Sequence, residues 1–287
     1  MLATRAGAAR GACYDAATEI LHKGARGVSR QDEVLVSRVG PVMTLTFNRP
    51  EAHNALTWKM YDRLYEACEE ADRDDSVRVL VLRGAGGKAF VAGTDISQFQ
   101  AFERAEDGIG YERDGDRRMA RLEAVRKPVI AQVQGFAVGG GFRITTCCDL
   151  RIATPEARFG APIARTLGNC LSMAAYARFV DMFGPSRVKE LLFTARLLTA
   201  EEAHAAGYVQ EIVPADRIEA RVAALARQIA DHAPITLWVT KESIRRLSAS
   251  RTLPEDEDLI AATYTSADFR EGAHAFLDKR KPEWTGR

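Results

Sequence analysis

Gly135-Phe136-Ala137-Val138-Gly139-Gly140-Gly141-Phe142-Arg143 joins two segments of different character. Before it, Pro128-Val129-Ile130-Ala131-Gln132-Val133 is an apolar, β-branched run that reads as a buried strand. After it, Ile144 to Cys148 reads as the start of a helix. Three consecutive glycines between strand and helix let the backbone approach something closely, because no Cβ stands in the way. The first amides of the following helix lack partners within it and carry partial positive charge. Such a turn can hold an anion, including an oxygen that becomes negative only during a reaction. It can equally serve tight packing alone. A dinucleotide fingerprint fits worse, since the run lacks G-x-G-x-x-G spacing, and no Gly-Lys-Ser/Thr phosphate loop is present.

Working outward, a second glycine turn lies upstream. Ala89-Phe90-Val91-Ala92-Gly93-Thr94-Asp95-Ile96 is another apolar segment that ends in small residues. It follows the strand Val77 to Leu82 and the turn Arg83-Gly84-Ala85-Gly86-Gly87. Further upstream, Val34 to Val39 and Val42 to Phe47 flank Gly40-Pro41 and predict a β-hairpin. The loop Asn48 to Leu56 is broken by Pro50 and two asparagines. Thr57 caps a helix in which Met60, Tyr61, Leu64, Tyr65, Cys68 and Ala71 recur at helical spacing. The charged stretch from Glu103 to Asp116 carries Gly108, Gly110 and Gly115 and reads as a mobile surface loop or lid.

Downstream, Leu150 to Ala153 and Arg158 to Gly160 read as strands. Helices are expected over 170–182, 186–194, 200–206, 215–232, 235–248 and 256–278, with one strand from Tyr208 to Val213. Strands alternating with helices early, and helices alone late, predict an α/β core with a helical C-terminal region. The expected organisation is an extension over 1–31, a core over 32–222 and a helical region over 223–287. Met1 to Ala12 is rich in Ala, Arg and Gly but poor in Ser, and Asp15 and Glu19 follow soon after, so an extension fits better than a transit segment.

Composition narrows the function. With 46% apolar and 28% charged residues, the 287-residue chain has the make-up of a soluble globular protein. A net charge of +1, from 40 basic and 39 acidic residues, argues against broad nucleic-acid affinity. No apolar run reaches the length of a membrane span. The cysteines at 13, 68, 147, 148 and 170 have no metal-ligand spacing, so no metal is expected. Their odd number points to free thiols in a reducing compartment, the cytoplasm.

Taken together, Asn48-Arg49-Pro50…Asn54-Ala55-Leu56, Ala92-Gly93-Thr94-Asp95, Gly139-Gly140-Gly141, Cys148-Asp149 and Ala157-Arg158-Phe159-Gly160 resemble the crotonase, or enoyl-CoA hydratase/isomerase, family. The block Leu198 to Ala203, the run Ala206 to Val209 and Glu271-Gly272 to Lys281 extend the resemblance over nearly the whole chain. It implies a spiral of ββα units and C-terminal helices that assemble homotrimers, commonly paired into hexamers. It also implies an acyl-CoA substrate whose thioester oxygen sits between two main-chain amides. By motif these amides belong to Thr94 and Gly140. Coenzyme A enters as part of the substrate, and no separate cofactor is implied. Coenzyme A would lie near Ala52, His53, Ala55, Ala92, Asp95 and Ile96, with Phe276 and Lys279 reaching a neighbouring subunit's nucleotide. His53 reads equally well as a surface-loop histidine.

The chain departs from the family pattern where a hydratase carries its two glutamates. One follows the glycine triplet by two positions and the other follows Phe-Gly-x-Pro; here these are Arg143 and Ile163. Other members place a carboxylate further on, where this chain has Leu171 or Ser172. Arginine stays protonated and isoleucine has no proton to exchange, so ordinary hydration is disfavoured. Enolate stabilisation needs only the two amides. Arg143 then either recognises a substrate carboxylate or pairs with Asp95 or Asp149. Cys170 reads as a thiol at a helix N-terminus or as packing material. Tyr111, Glu112 and Asp114 lie in the stretch that a closing lid would bring to the site.

Overall fold

The computed structural model describes residues 32–249 and 255–286, so the extension expected over 1–31 lies outside the described residues. The hairpin forms as read: β1 (Val34–Val39) pairs antiparallel with β2 (Val42–Phe47). β3 (Val79–Gly84), β5 (Val129–Val133), β7 (Leu150–Ala153) and β10 (Glu211–Ile212) add in parallel to complete a six-stranded sheet. A second sheet of four strands contains β4 (Ala89–Val91), β6 (Phe136–Val138), β8 (Arg158–Gly160) and β9 (Leu198–Thr199). The chain therefore climbs as a spiral. From β3 to β8 each turn gives one strand to the first sheet, the next to the second, and then a helix.

The first sheet is buried on both faces, which explains its near-continuous apolar strands. Val79, Val81, Ile130 and Ile152 face α7 (Ile218–Ala230), where Val222, Ala226 and Ile229 meet them. Leu80, Leu82, Ala131 and Val133 face inward, toward Phe90, Ala137 and Phe159 of the second sheet. The same alternation that builds each strand thus separates two cores. Helix α7 runs through residue 222 as one continuous element.

Several boundaries move for local reasons. The strand expected over Tyr208 to Val213 keeps only Glu211 and Ile212, because the Tyr208 and Val209 amides turn back to Ala203 O. The long C-terminal helix splits into α9 (Glu257–Tyr264) and α10 (Ala267–Leu277), since the Ser266 side chain caps the second helix by accepting from Phe269 N. The helices expected over 170–182 and 186–194 form as two helical stretches within α5 (Met173–Thr194), separated at Gly184, whose φ of 73° is not helical, with Pro185 opening the second stretch.

The largest correction concerns Glu103 to Asp116. It is no mobile loop or lid: Ala105–Glu123 is the 19-residue helix α2. Its three glycines hid it from propensity, yet two of them suit its packing. A Cβ on Gly108 would lie 2.3 Å from the Tyr264 ring, and one on Gly115 would lie 3.3 Å from the Arg143 guanidinium. Gly108, Glu112, Gly115, Met119 and Leu122 form the buried stripe.

Candidate active site

The loop Asn48 to Leu56 frames the first turn. Asn54 accepts from Arg49 N at 2.9 Å and donates its amide to Ala85 O at 3.0 Å and Ala89 O at 2.8 Å. Leu56 then pairs with the Gly93–Asp95 turn: its amide donates to Gly93 O, and Asp95 N donates to Leu56 O, each at 2.9 Å. Arg49 donates to Asp95 at 3.1 Å, so Asp95 belongs to this frame and not to Arg143.

The second turn is held from the other side. Gly139 adopts φ 53° as the cap of α3 (Gly140–Cys147), and its amide donates to Gly160 O at 2.9 Å. The helix begins four residues earlier than the sequence suggested, which makes Gly140 its first residue. Gly141 lets the helix press onto the sheet, since a Cβ there would sit 2.2 Å from Val91 O. The two turns abut: a Cβ on Gly139 would meet Gly93 Cα at 3.5 Å, and one on Gly140 would meet Thr94 Oγ1 at 3.4 Å. Among the described residues, neither the Thr94 amide nor the Gly140 amide has an acceptor.

Both turns line one small cavity of about 70 Å³. Ala92, Ile96, Arg143, Ile163 and Leu171, all singled out from sequence, line it as well. Tyr111, Glu112 and Asn169 complete its polar wall. Cys170, Phe276 and Lys279 are not among its lining residues. Phe276 instead packs against the cluster around Phe99, Tyr264 and Phe269, and Lys279 is exposed. Ala52 and His53 are buried beneath the first turn, where Ala92 N donates to His53 O at 3.1 Å. The surface-loop reading of His53 is therefore wrong, because its backbone is built into the frame. Ala55 lies at the end of the same loop, and its carbonyl accepts from Arg49 at 2.6 Å.

Three hydroxyls run beside the two amides. Tyr61 Oη lies 2.9 Å from Thr94 Oγ1, which lies 3.1 Å from Tyr111 Oη. Burial pushes both tyrosines above their ordinary range, so both are neutral in the resting site.

Arg143 points at neither Asp95 nor Asp149. Its Nη1 donates to Glu112 at 3.0 Å and its Nη2 donates to Asp116 at 2.8 Å, while Asp149 pairs with Lys241 at 2.8 Å. Glu112 also accepts from Ser172 N at 3.2 Å and from Tyr264 Oη at 2.9 Å. Burial works against the Arg143 charge, but Glu112, Tyr111 and Asp116 hold its guanidinium above its usual range. Burial pushes the Glu112 carboxyl up, and Arg143 offsets part of that rise. One arginine thus faces two carboxylates, which leaves little attraction for a third.

Cys170 does not start a helix: Ser172 caps α5 by accepting from Ala175 N, and burial pushes the Cys170 thiol up to about 11. Tyr61 was read only as part of the apolar face of the helix after Thr57, Tyr264 and Asn169 had no site role in the sequence reading, and Glu112 was placed on a lid. The spacing 108, 112, 115, 119, 122 on α2 is the sequence signal that could have found Glu112. Among the described residues no cluster of three metal-ligating side chains occurs, and no helix is long and apolar enough to cross a membrane.

A family model described as enoyl-CoA hydratase/isomerase matches residues 38–287. The chain belongs to this family. It is 33% identical over 255 residues to a short-chain-enoyl-CoA hydratase of Clostridium acetobutylicum, covering 88% of this chain and 97% of the relative. Among solved structures, an enoyl-CoA hydratase/carnithine racemase from Magnetospirillum magneticum is 35% identical with a TM-score of 0.73, covering 90% of this chain and 97% of that one. A methylmalonyl-CoA decarboxylase in complex with 2-nitronate-propionyl-CoA superposes with a TM-score of 0.82 at 30% identity, over 89% of this chain and 99% of that one. The spiral of paired strands and the helical C-terminal region are thus the enoyl-CoA hydratase/isomerase fold, and acyl-CoA processing comes with the family.

Proposed function

We propose that this member binds an acyl-CoA thioester and stabilises its enolate with the amides of Thr94 and Gly140. One observation carries the reading: two abutting turns present two main-chain donors with no acceptor among the described residues, in one cavity. Donors fixed before reaction favour the charge that develops on the thioester oxygen, each by about 3–4 kcal/mol. The nucleotide part of coenzyme A is assigned to the face formed by Ala52, His53, Ala55, Ala92, Asp95 and Ile96. Phe276 and Lys279 would serve the neighbouring subunit of a homotrimer, or of a hexamer of paired trimers, in the cytoplasm.

The reaction itself belongs to the lyase or isomerase type more readily than to ordinary hydration. A hydratase must hold a water with a free carboxylate. Positions 143 and 163 carry none, and Glu112, the one acid lining the cavity, is occupied by Arg143, Ser172 and Tyr264. Loss of carbon dioxide from a malonyl-type thioester requires enolate stabilisation and no such base. The similarity to a methylmalonyl-CoA decarboxylase favours it. Arg143, already facing two carboxylates, is not the group that would grip the departing one. Thioester hydrolysis, or binding without turnover, are the remaining outcomes.

The test incubates the purified chain with crotonyl-CoA, methylmalonyl-CoA and butyryl-CoA while following enoyl absorbance, carbon dioxide and free thiol. Carbon dioxide release well above crotonyl-CoA hydration is expected. Rapid hydration would show that the missing glutamates have been replaced. Failure to bind any thioester would remove the reading altogether.

A further inference from the structure

We propose that Tyr111 is the acid that protonates the α-carbon of the thioester enolate, fed by the hydroxyl chain Tyr61–Thr94–Tyr111; the proposal rests on the enolate reading above.

Each hydroxyl of the trio carries one donor hydrogen. The contacts at 2.9 Å and 3.1 Å use two of the three, so one O–H is left to point out of the chain. Neither tyrosine hydroxyl makes a hydrogen bond to a residue outside this trio among the described residues. When the chain runs from Tyr61 through Thr94, the surplus proton sits on Tyr111. Tyr111 lines the same cavity as the Thr94 and Gly140 amides. The Arg118 guanidinium, paired with Asp62 at 2.8 Å, also lies 5.6 Å over the Tyr61 ring. The Tyr61 oxygen also rests against Gly140, whose added Cβ would meet it at 2.5 Å. The chain therefore runs from one oxygen-binding turn to the wall of the cavity.

The step balances as follows. The enolate electron pair forms a C–H bond at the α-carbon as the Tyr111 O–H bond breaks, and the thioester carbonyl reforms. Tyr111 takes the Thr94 proton and Thr94 takes the Tyr61 proton. The negative charge comes to rest on the Tyr61 oxygen beneath Arg118. A solvent water then returns a proton to Tyr61 and leaves hydroxide. Thr94 thus has separable parts: its amide holds the thioester oxygen, and its hydroxyl positions and relays.

The test uses the full chain in D2O with methylmalonyl-CoA and with butyryl-CoA, reading deuterium at the α-carbon by mass spectrometry and its facial distribution by NMR. Thioester affinity is measured by calorimetry. Tyr111→Phe keeps a ring packed 5.0 Å from Phe99 and 5.6 Å from Trp58. It should slow deuterium exchange into the α-carbon of butyryl-CoA about 100-fold, with affinity held within about twofold. Thr94→Val keeps the amide, cuts the chain and should do the same. In both variants the residual deuterium in propionyl-CoA should occupy both faces, where the unaltered protein fills one. Undiminished one-face incorporation by both variants overturns the relay while the enolate reading stands. An unaltered protein that releases carbon dioxide from methylmalonyl-CoA yet places deuterium on both faces also overturns the relay. One that binds thioesters but releases no carbon dioxide and incorporates no deuterium removes the enolate reading and the relay with it, as does one that binds no thioester.

Discussion

Arg143 and Glu112 form an ion pair in which Nη1 lies 3.0 Å from the carboxylate, with side chains only 8% and 1% exposed. The pair joins α3, which begins at the glycine triplet, to α2, which the sequence had presented as a lid. Through Tyr264 and Ser172 the same carboxylate also reaches the C-terminal helices and the start of α5. Arg143 is therefore a buried structural cation that ties these elements together.

Removing that cation leaves a buried carboxylate unpaired. Arg143→Met should cost about 3–5 kcal/mol of unfolding free energy, read from urea denaturation. The sign of its pH dependence follows from Glu112, whose folded-state pKa is already raised by burial. A raised carboxyl favours the folded state in its protonated form. That contribution is complete below the ordinary glutamate value of about 4.3 and fades as pH climbs through the folded value. Loss of Arg143 raises the folded value further and widens the window. The variant should therefore lose more stability, relative to the parent, at pH 8 than at pH 5. An equal loss at both would show that Glu112 does not feel the arginine.

Helix α2 offers a contrast within two residues. Gly→Ala inside a helix ordinarily stabilises by about 0.5–1 kcal/mol. Gly110 has open space where a Cβ would stand, so Gly110→Ala should gain that amount. Gly108 has the Tyr264 ring at 2.3 Å, so Gly108→Ala should lose about 1–3 kcal/mol by overpacking. Chemical denaturation of the two variants decides it; matching gains would mean that the stretch is not helical against Tyr264.

The glycine triplet should separate fold from activity. A Cβ on Gly141 meets the backbone oxygen of Val91 at 2.2 Å, and a strand carbonyl cannot step aside. Gly141→Ala should lower the melting temperature sharply or prevent folding. A Cβ on Gly140 meets the Tyr61 hydroxyl at 2.5 Å, the far end of a side chain. Gly140→Ala should keep its circular dichroism and melt near the parent while turnover falls about 100-fold, because both the amide and the hydroxyl chain shift. Full activity in folded Gly140→Ala would break the link between this turn and the chemistry.

Much of the framework was legible. The hairpin, β7 and β8 follow from alternation and turn residues, with Val34–Val39, Val42–Phe47, Leu150–Ala153 and Arg158–Gly160 forming as read. The two glycine turns were visible because glycine has few reasons to recur three times before a helix. Arg143 was noticed, but its partners were not: Asp95 and Asp149 stand in the recognised motifs, whereas Glu112 lies on a helix that was read as a loop.

The sequence by itself determined the hairpin, β3, β5, β7 and β8, the two turns and the absence of carboxylates at positions 143 and 163, because each rests on local pattern or on residue identity. Tertiary structure alone decided that Ala105–Glu123 is a helix and that Tyr111 and Glu112 face the cavity. The physical reason lies in where the stabilising free energy arises. Three glycines make that segment a poor helix in isolation, and only contact with Tyr264 and Arg143, both distant along the chain, makes the close packing that their missing side chains permit.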